Sequence, residues 1–261
     1  MTSSNIKIYF VSDAHLGFPN HPESLIREKL LVKWLNTVSN DATSIYLLGD
    51  IFDFWFEYKR VVPRGYTRLL GKLSELCDKG IPIHFFTGNH DMWTYDYLSN
   101  EVGLIIHKDK EVININNKVF FIAHGDGLGP DDKSYKILKK IFRNKFAQWL
   151  FSKLHPNFAI KIATKWSHHN RYNENPQNLI YKGKNGERLI QYAYRKLNDE
   201  HYDYFIFGHR HIPMMIKLNE KSLLVNLGDW INNFTYAVFD GNNLTLKSFL
   251  DDKQSNIYIE M

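Results

Sequence analysis

Within its first 90 residues the chain alternates short apolar runs with stretches of helical periodicity, and a polar block follows each run. Residues 6–11 read as a buried strand, and residues 23–39 carry Leu30, Trp34, Leu35 and Val38 at helical spacing. A second strand is expected at 44–48, a helix at 66–79 ended by Gly80 and Pro82, and a third strand at 83–87. Such a succession predicts βαβ units around a central sheet. Ligands in open α/β sheets sit beyond the carboxyl ends of the strands, which is where these polar blocks would meet.

The second half has a different character. Residues 112–115 and 119–123 flank Asn116 and Asn117 as a hairpin would. The segment from Lys133 to about Trp166 is expected to be helical, with Pro156 breaking it into two helices. That pair reads as a cap inserted at residues 131–175 into a single domain spanning 1–261. Beyond it, a helix is expected at 186–197, then strands at 204–207, 214–217, 222–226, 234–239 and 244–249, forming a second, more antiparallel sheet. A length of 261 residues suits one large α/β domain with an insertion better than two full-sized domains.

Charge is unevenly spread. From Lys133 to Asn173 there are ten basic residues and no Asp or Glu, so the net +5 of the chain leaves −5 for the remainder. Within that segment Ile137, Leu138, Ile141, Phe142, Phe146, Trp149, Leu150 and Phe151 form an apolar stripe beside the lysines. The composition fits a helix lying on an anionic membrane surface. No apolar run approaches the roughly 20 residues that span a bilayer, and residues 6–11 are too short for a signal-peptide core, so a cytoplasmic protein is expected, one that would meet a membrane only at its surface. Cys77 is the only cysteine, which excludes an intrachain disulfide and a thiolate zinc site. Any metal must be held by nitrogen and oxygen.

Five blocks supply such ligands: Asp13-Ala14-His15, Gly49-Asp50 with Asp53 following, Gly88-Asn89-His90-Asp91, His124-Gly125-Asp126, and Gly208-His209-Arg210-His211. Each falls at or just past the end of an expected strand. Residues two apart at a strand end approach one ion from the same side. The glycines before Asp50, Asn89 and His209 permit tight turns, including turns with positive φ, that aim a short ligand at a metal. Each block alone occurs often in turns and cores; the set, in this order, does not.

Together the five blocks resemble the signature of the calcineurin-like metallophosphoesterases. The resemblance implies a four-layered αββα sandwich with a dinuclear centre. In that arrangement Asp13, His15 and His211 hold one metal, Asn89, His124 and His209 the other, and Asp50 bridges them. Two such ions lower the pKa of a bridging water and clamp the phosphoryl oxygens of an in-line displacement. Mixed imidazole, carboxylate and amide donors favour two Mn²⁺, with Fe²⁺ or Zn²⁺ as alternatives. The resemblance makes His90 the residue that contacts the phosphoryl group, with Asp53 or Asp91 orienting it or a ligand.

Further stretches are similar to the UDP-2,3-diacylglucosamine diphosphatase family of lipid A biosynthesis: Gly49-Asp50-Ile51-Phe52-Asp53-Phe54-Trp55, His124 to Leu128 with Asp131, Asp132 and Tyr135, and Leu227-Gly228-Asp229-Trp230. This likeness implies hydrolysis of UDP-2,3-diacylglucosamine to UMP and 2,3-diacylglucosamine 1-phosphate. His90, Asp132, Tyr135 and His209 would bind the substrate, His90, Asp50 and Asn89 would be catalytic, and the cap would hold the acyl chains. The best-known branch of that family has arginine where this chain has His90. Arginine binds a second phosphate bidentately, whereas histidine can give up a proton. Two rival readings are a related enzyme acting on another nucleotide or phosphodiester, and a nucleic-acid-binding protein. The abundant Phe, Leu and Ile of the basic segment weigh against nucleic acid.

Overall fold

The computed structural model describes residues 6–129, 133–172, 180–250 and 257–260. Twelve strands are formed by Ile8–Val11 (β1), Ser44–Leu48 (β2), Ile83–Phe86 (β3), Ile105–His107 (β4), Glu111–Ile115 (β5), Lys118–Ala123 (β6), Tyr204–Phe207 (β7), Pro213–Asn219 (β8), Ser222–Leu227 (β9), Thr235–Phe239 (β10), Leu244–Ser248 (β11) and Tyr258–Glu260 (β12). The helices are His21–Val38 (α1), Thr67–Asp78 (α2), Tyr97–Asn100 (α3), Lys133–Arg143 (α4), Lys145–Phe151 (α5), Pro156–Tyr172 (α6), Gly183–Gly186 (α7) and Arg188–Asp199 (α8). They build two six-stranded sheets, in the orders β11-β10-β1-β2-β3-β4 and β12-β8-β9-β7-β6-β5.

Strand alternation sorts side chains into three apolar interfaces. In the first sheet Tyr9, Val11, Ile45, Leu47 and Phe85 face α1 and α2, meeting Leu31, Trp34, Leu69 and Leu73. Their neighbours Ile8, Phe10, Tyr46, Leu48 and Phe86 point the other way, into Phe120, Ile122, Ile206 and Val225 of the second sheet. The opposite face of that sheet packs Phe121, Phe205 and Phe207 on Leu189, Ile190 and Ala193 of α8. Three buried interfaces between four layers are the expected αββα sandwich.

Three expectations need correction. The strands at 234–239 and 244–249 do not extend the second sheet: β10 pairs antiparallel with β1, Ile8 opposite Phe239, and completes the first sheet. Alternation marks a strand but does not name its partner. The second sheet is also less antiparallel than expected, since β7 runs parallel to both β6 and β9. The segment expected to form two helices, in turn, forms three. Pro156 opens α6, where the missing N–H costs nothing, but a further break falls at Asn144. Its side chain accepts from the backbone N–H groups of Phe146 and Ala147 and so starts α5 afresh.

Helix α1 illustrates how the fold serves the strand ends. Asn20 caps it by accepting from the N–H of Glu23 at 3.1 Å and donating to the Glu23 carboxylate at 2.7 Å. Its buried face carries Arg27, which donates to the carbonyls of Ala14, His15 and Phe18. The loop after β1 is thereby pinned to the helix.

At the far edge of the first sheet His84 stacks on Tyr46 with centroids 4.2 Å apart, and its Nδ1 lies 2.9 Å from Nε2 of His107. Burial, with His107 adding to it, lowers the His84 pKa from 6.5 to about 4. The unfolded chain therefore takes up a proton that the folded chain refuses, so His84 favours the fold fully above pH 6.5 and that stability is lost as pH falls toward 4. The melting temperature should drop more between pH 7 and pH 5 in the native protein than in H84Q; equal drops would remove His84 from this role.

Candidate metal centre

The five blocks converge at the carboxyl ends of β1, β2, β3, β6 and β7. Asp13, His15 and His211 place ligand atoms within 4.8 Å of one another, and Asp50, His124 and His209 do the same. One carboxylate joins the two groups: Oδ2 of Asp50 lies 3.7 Å from His15 Nε2 and 3.2 Å from His124 Nε2. Asn89 enters the second group, its Oδ1 3.3 Å from His124 Nε2. Asp13, His15, Asp50 and His124 are all buried.

The residues that converge here also carry the backbone strain. Asp13, His15, Asp50, His209 and His211 all adopt positive φ, between 41° and 64°. Such conformations persist only where the surroundings over-determine them. Here the determinants are visible: the N–H groups of Asp13 and His15 donate to the carbonyls of Gly49 and Asp50, and the N–H of His209 donates to Asp13 Oδ2 at 2.9 Å. Of the preceding glycines, Gly49 has the expected positive φ, at 80°, whereas the other two serve a different purpose. Gly88 and Gly208 do not have positive φ; each is glycine because a Cβ would strike a ligand. At Gly208 that atom would lie 2.5 Å from Asp13 Oδ2, and at Gly88 2.5 Å from the Asp50 nitrogen.

Outer partners fix the imidazoles. Nδ1 of His124 lies 2.7 Å from the carbonyl of Leu48 and can only donate to it, so Nε2 faces Asp50. Nδ1 of His211 faces Asp229, whose Oδ1 also accepts from the N–H groups of Ile231, Asn232 and Asn233. Asp53 Oδ1 lies 3.4 Å from His15 Nδ1, on the side away from Asp13 and Asp50, which makes Asp53 an orienting group and not a ligand. The Asp53 carbonyl accepts from His90 Nδ1 at 2.9 Å. Asp91 instead clamps two loops, accepting from the N–H groups of Ile51 and Gly88.

Electrostatics reflect this crowding of charge. Burial opposes ionisation of Asp50, but His124, His90 and His15 outweigh it and hold the carboxyl well below the usual range. Burial likewise works against a charged His124, yet Asp50 and Asp13 raise it to about 10. His209 is pushed down to about 4 by burial and by His124, and burial raises Asp13. Oδ1 of Asp13 is buried without a hydrogen-bond partner among the described residues. An orphaned carboxylate oxygen amid imidazole nitrogens, with no thiolate, is the donor chemistry of a divalent first-row cation site. The residues fit two such ions.

Of the pocket residues expected from sequence, His90 and Tyr135 line an apolar cavity of about 350 Å³ that opens beside Asn89 and runs beneath the cap. The Tyr135 hydroxyl donates to Asp126 at 2.6 Å, and Lys139 pairs with the same carboxylate. Asp132 lies outside the described residues. Sequence reasoning missed three contributors. Arg27 carried only a helical-face signal, Asp229 entered only through a motif likeness, and Ser167, on α6, gave none although its Oγ donates to Asp53 Oδ2 at 2.8 Å.

The profile described as Calcineurin-like phosphoesterase matches residues 6–213. A Porphyromonas gingivalis protein named UDP-2,3-diacylglucosamine hydrolase is 40% identical over 258 residues, covering 94% of this chain and 98% of that one. A Neisseria meningitidis serogroup A protein of the same name is 30% identical, over 87% and 90% of the two chains. Among solved structures, a double mutant of Vps29 from Entamoeba histolytica matches 92% of this chain at 14% identity and a TM-score of 0.46.

Replacing Gly208 with Ala should force Asp13 out of position and weaken Mn²⁺ binding by about 10- to 100-fold. Calorimetric titration of the folded variant measures this, and unchanged affinity would show that the loop relaxes around a methyl group.

Proposed function

The chain belongs to the calcineurin-like phosphoesterase family, and from that membership we propose that it hydrolyses UDP-2,3-diacylglucosamine to UMP and 2,3-diacylglucosamine 1-phosphate. The observation that carries the substrate is the cavity. Its floor is polar, with Asn89, His90 and Asp53; its walls are apolar, with Trp93, Leu138, Phe142, Phe151, Ile162 and Trp166. A pyrophosphate joined to a lipid divides in the same way. The alternative, an enzyme for a small phosphodiester, has no use for such walls. The shared name of the relatives supports the same choice.

Asp13, His15 and His211 would hold one divalent ion and Asn89, His124 and His209 the other, with Asp50 shared. Mixed imidazole, carboxylate and amide donors suit Mn²⁺, with Fe²⁺ or Zn²⁺ as alternatives. When bound, the pair supplies Lewis acidity at the phosphoryl oxygens and an acidified water as nucleophile. The chain itself positions the other groups. Because the Asp53 carbonyl can only accept, His90 carries its proton on Nδ1, leaving Nε2 to meet the phosphoryl group or, when protonated, to donate to the departing phosphate oxygen. Its backbone N–H donates to Asp50 Oδ1 at 2.8 Å, which ties its place to that of the shared ligand. The apolar walls exclude water from the acyl side, and Tyr135, held by Asp126, closes the cavity near the phosphate end.

The cap would form an inserted lid spanning residues 131–175 within the single domain. Its outer surface is apolar too: Phe146, Trp149 and Leu150 are 69%, 52% and 55% exposed. Lys145 and Lys153 flank them, the latter 5.1 Å from the Trp149 ring. Large exposed aromatics beside cations suit the surface of an anionic bilayer. In this reading the protein sits on the cytoplasmic face of the inner membrane and draws its lipid up beneath the cap. No helix among the described residues is long and apolar enough to cross a membrane.

With Mn²⁺ the protein should release UMP from UDP-2,3-diacylglucosamine and not from UDP-N-acetylglucosamine, and D50A should lose that turnover while remaining folded. Cleavage of bis(p-nitrophenyl) phosphate without any lipid turnover would overturn the substrate. Exchanging Trp149 and Leu150 together for Glu should cut retention on phosphatidylglycerol vesicles several-fold and leave diester cleavage intact; undiminished retention would place the membrane contact elsewhere.

A further inference from the structure

The cap touches the body of the protein through aromatic contacts of Phe142 and Phe151 with Trp93, Phe54 and Phe56, and through polar contacts nearer the metal centre. Among the described side chains of α4, α5 and α6, only Ala159 and Ser167 are buried. Ser167 is 7% exposed, and it reaches the group that orients the metal centre. Its Oγ donates to Asp53 Oδ2 at 2.8 Å and lies 3.2 Å from Nδ1 of His90. The next residue, His168, brings Nε2 to 3.4 Å from the same Asp53 oxygen and packs its ring edge-on against Phe18, with centroids 5.0 Å apart. The other oxygen of Asp53 faces His15 Nδ1. One carboxylate, 2% exposed, therefore has the cap on one side and a metal-ligating imidazole on the other.

We infer that Ser167 and His168 are positioning residues that couple closure of the cap to the geometry of the metal centre, acting through Asp53 on His15 and His90. The inference rests on the proposed metal site and deepens it. Admitting a lipid beneath the cap requires α6 to lift, and lifting removes both contacts from Asp53 Oδ2. Water then replaces them, the carboxylate gains freedom, and the hold on His15 Nδ1 loosens. When α6 returns, a hydroxyl and an imidazole from one helical turn again fix the carboxylate, and Nε2 of His15 is again directed between Asp13 and Asp50. The centre is thus fully organised only beneath a seated cap. The aromatic contacts of the cap tolerate sliding; the hydrogen bond from Ser167 Oγ has one register. Groups that orient a metal ligand typically alter metal affinity or turnover by about 10- to 100-fold when removed.

The test uses bis(p-nitrophenyl) phosphate, a substrate with no acyl chains, together with calorimetric Mn²⁺ titration. S167A and H168A should each bind Mn²⁺ about tenfold more weakly and lower kcat on the diester several-fold with little change in KM, and S167T should recover much of both. Melting temperatures verify that the variants are folded. If diester kcat and Mn²⁺ affinity stay at native levels while only the KM for lipid substrate rises, the two residues merely line the pocket and the coupling is wrong. A native protein that cleaves the diester but never the lipid would defeat the substrate proposal while leaving this coupling open to the same measurement.

Discussion

Everything about this site follows from the difficulty of burying charge. Asp13 and Asp50 stand beside His15, His124, His209 and His211, largely away from water, and unpaired ionised groups cannot persist in such a place. Without metal, the compromise is a proton: Asp50 stays ionised because His124 holds an unusually tight one. To serve as a ligand that imidazole must release it, so metal binding and proton loss are two sides of one exchange. The strained backbone belongs to the same balance. Five residues in left-handed conformations are held by sheet-end hydrogen bonds and by a network that includes Arg27 and Asp229.

Much of this was legible in the order of residues. Short apolar runs at 6–11, 44–48 and 83–87 placed three strands, and the polar blocks after them named the side chains that converge. What remained hidden has common causes. The partner of β10 is a strand at the opposite end of the chain, and alternation says nothing about pairing at such separation. The break at Asn144 has neither Pro nor Gly; it depends on one side chain turning back onto the next helix. Ser167 looked like any polar residue on a basic helix, because its partner Asp53 lies more than a hundred positions away. Gly88 and Gly208 were recognised as necessary, though for dihedral freedom, whereas the operative constraint is the space beside a carboxylate.

The cap shows how one amphipathic segment can present two apolar faces. Leu138, Phe142 and Phe151 turn inward to the cavity, while Ile137, Ile141 and Trp149 turn outward. A single stripe on a helical wheel could not have distinguished them, since the break at Asn144 divides it between α4 and α5. Its attachments are of two kinds: polar, with Tyr135 and Lys139 on Asp126, Arg143 on Asp109 and the Trp93 indole on the carbonyl of Phe142, and aromatic, with Phe151 against Phe56 and Trp93.

The pairing of β1 with β10 has a consequence for how the molecule comes into being. Ile8 meets Phe239, and Asp13 meets His209, across nearly the whole chain. At synthesis rates of 5–20 residues per second, the first strand would wait about 10–50 s before its antiparallel neighbour exists. During that interval the β1 edge that β10 later covers stays unpaired, and the loop bearing Asp13 and His15 lacks its opposite wall. Enclosing so long a loop is slow, so the two walls of the site meet only in a nearly finished protein. Assembly of the site is in that sense the closing event of folding.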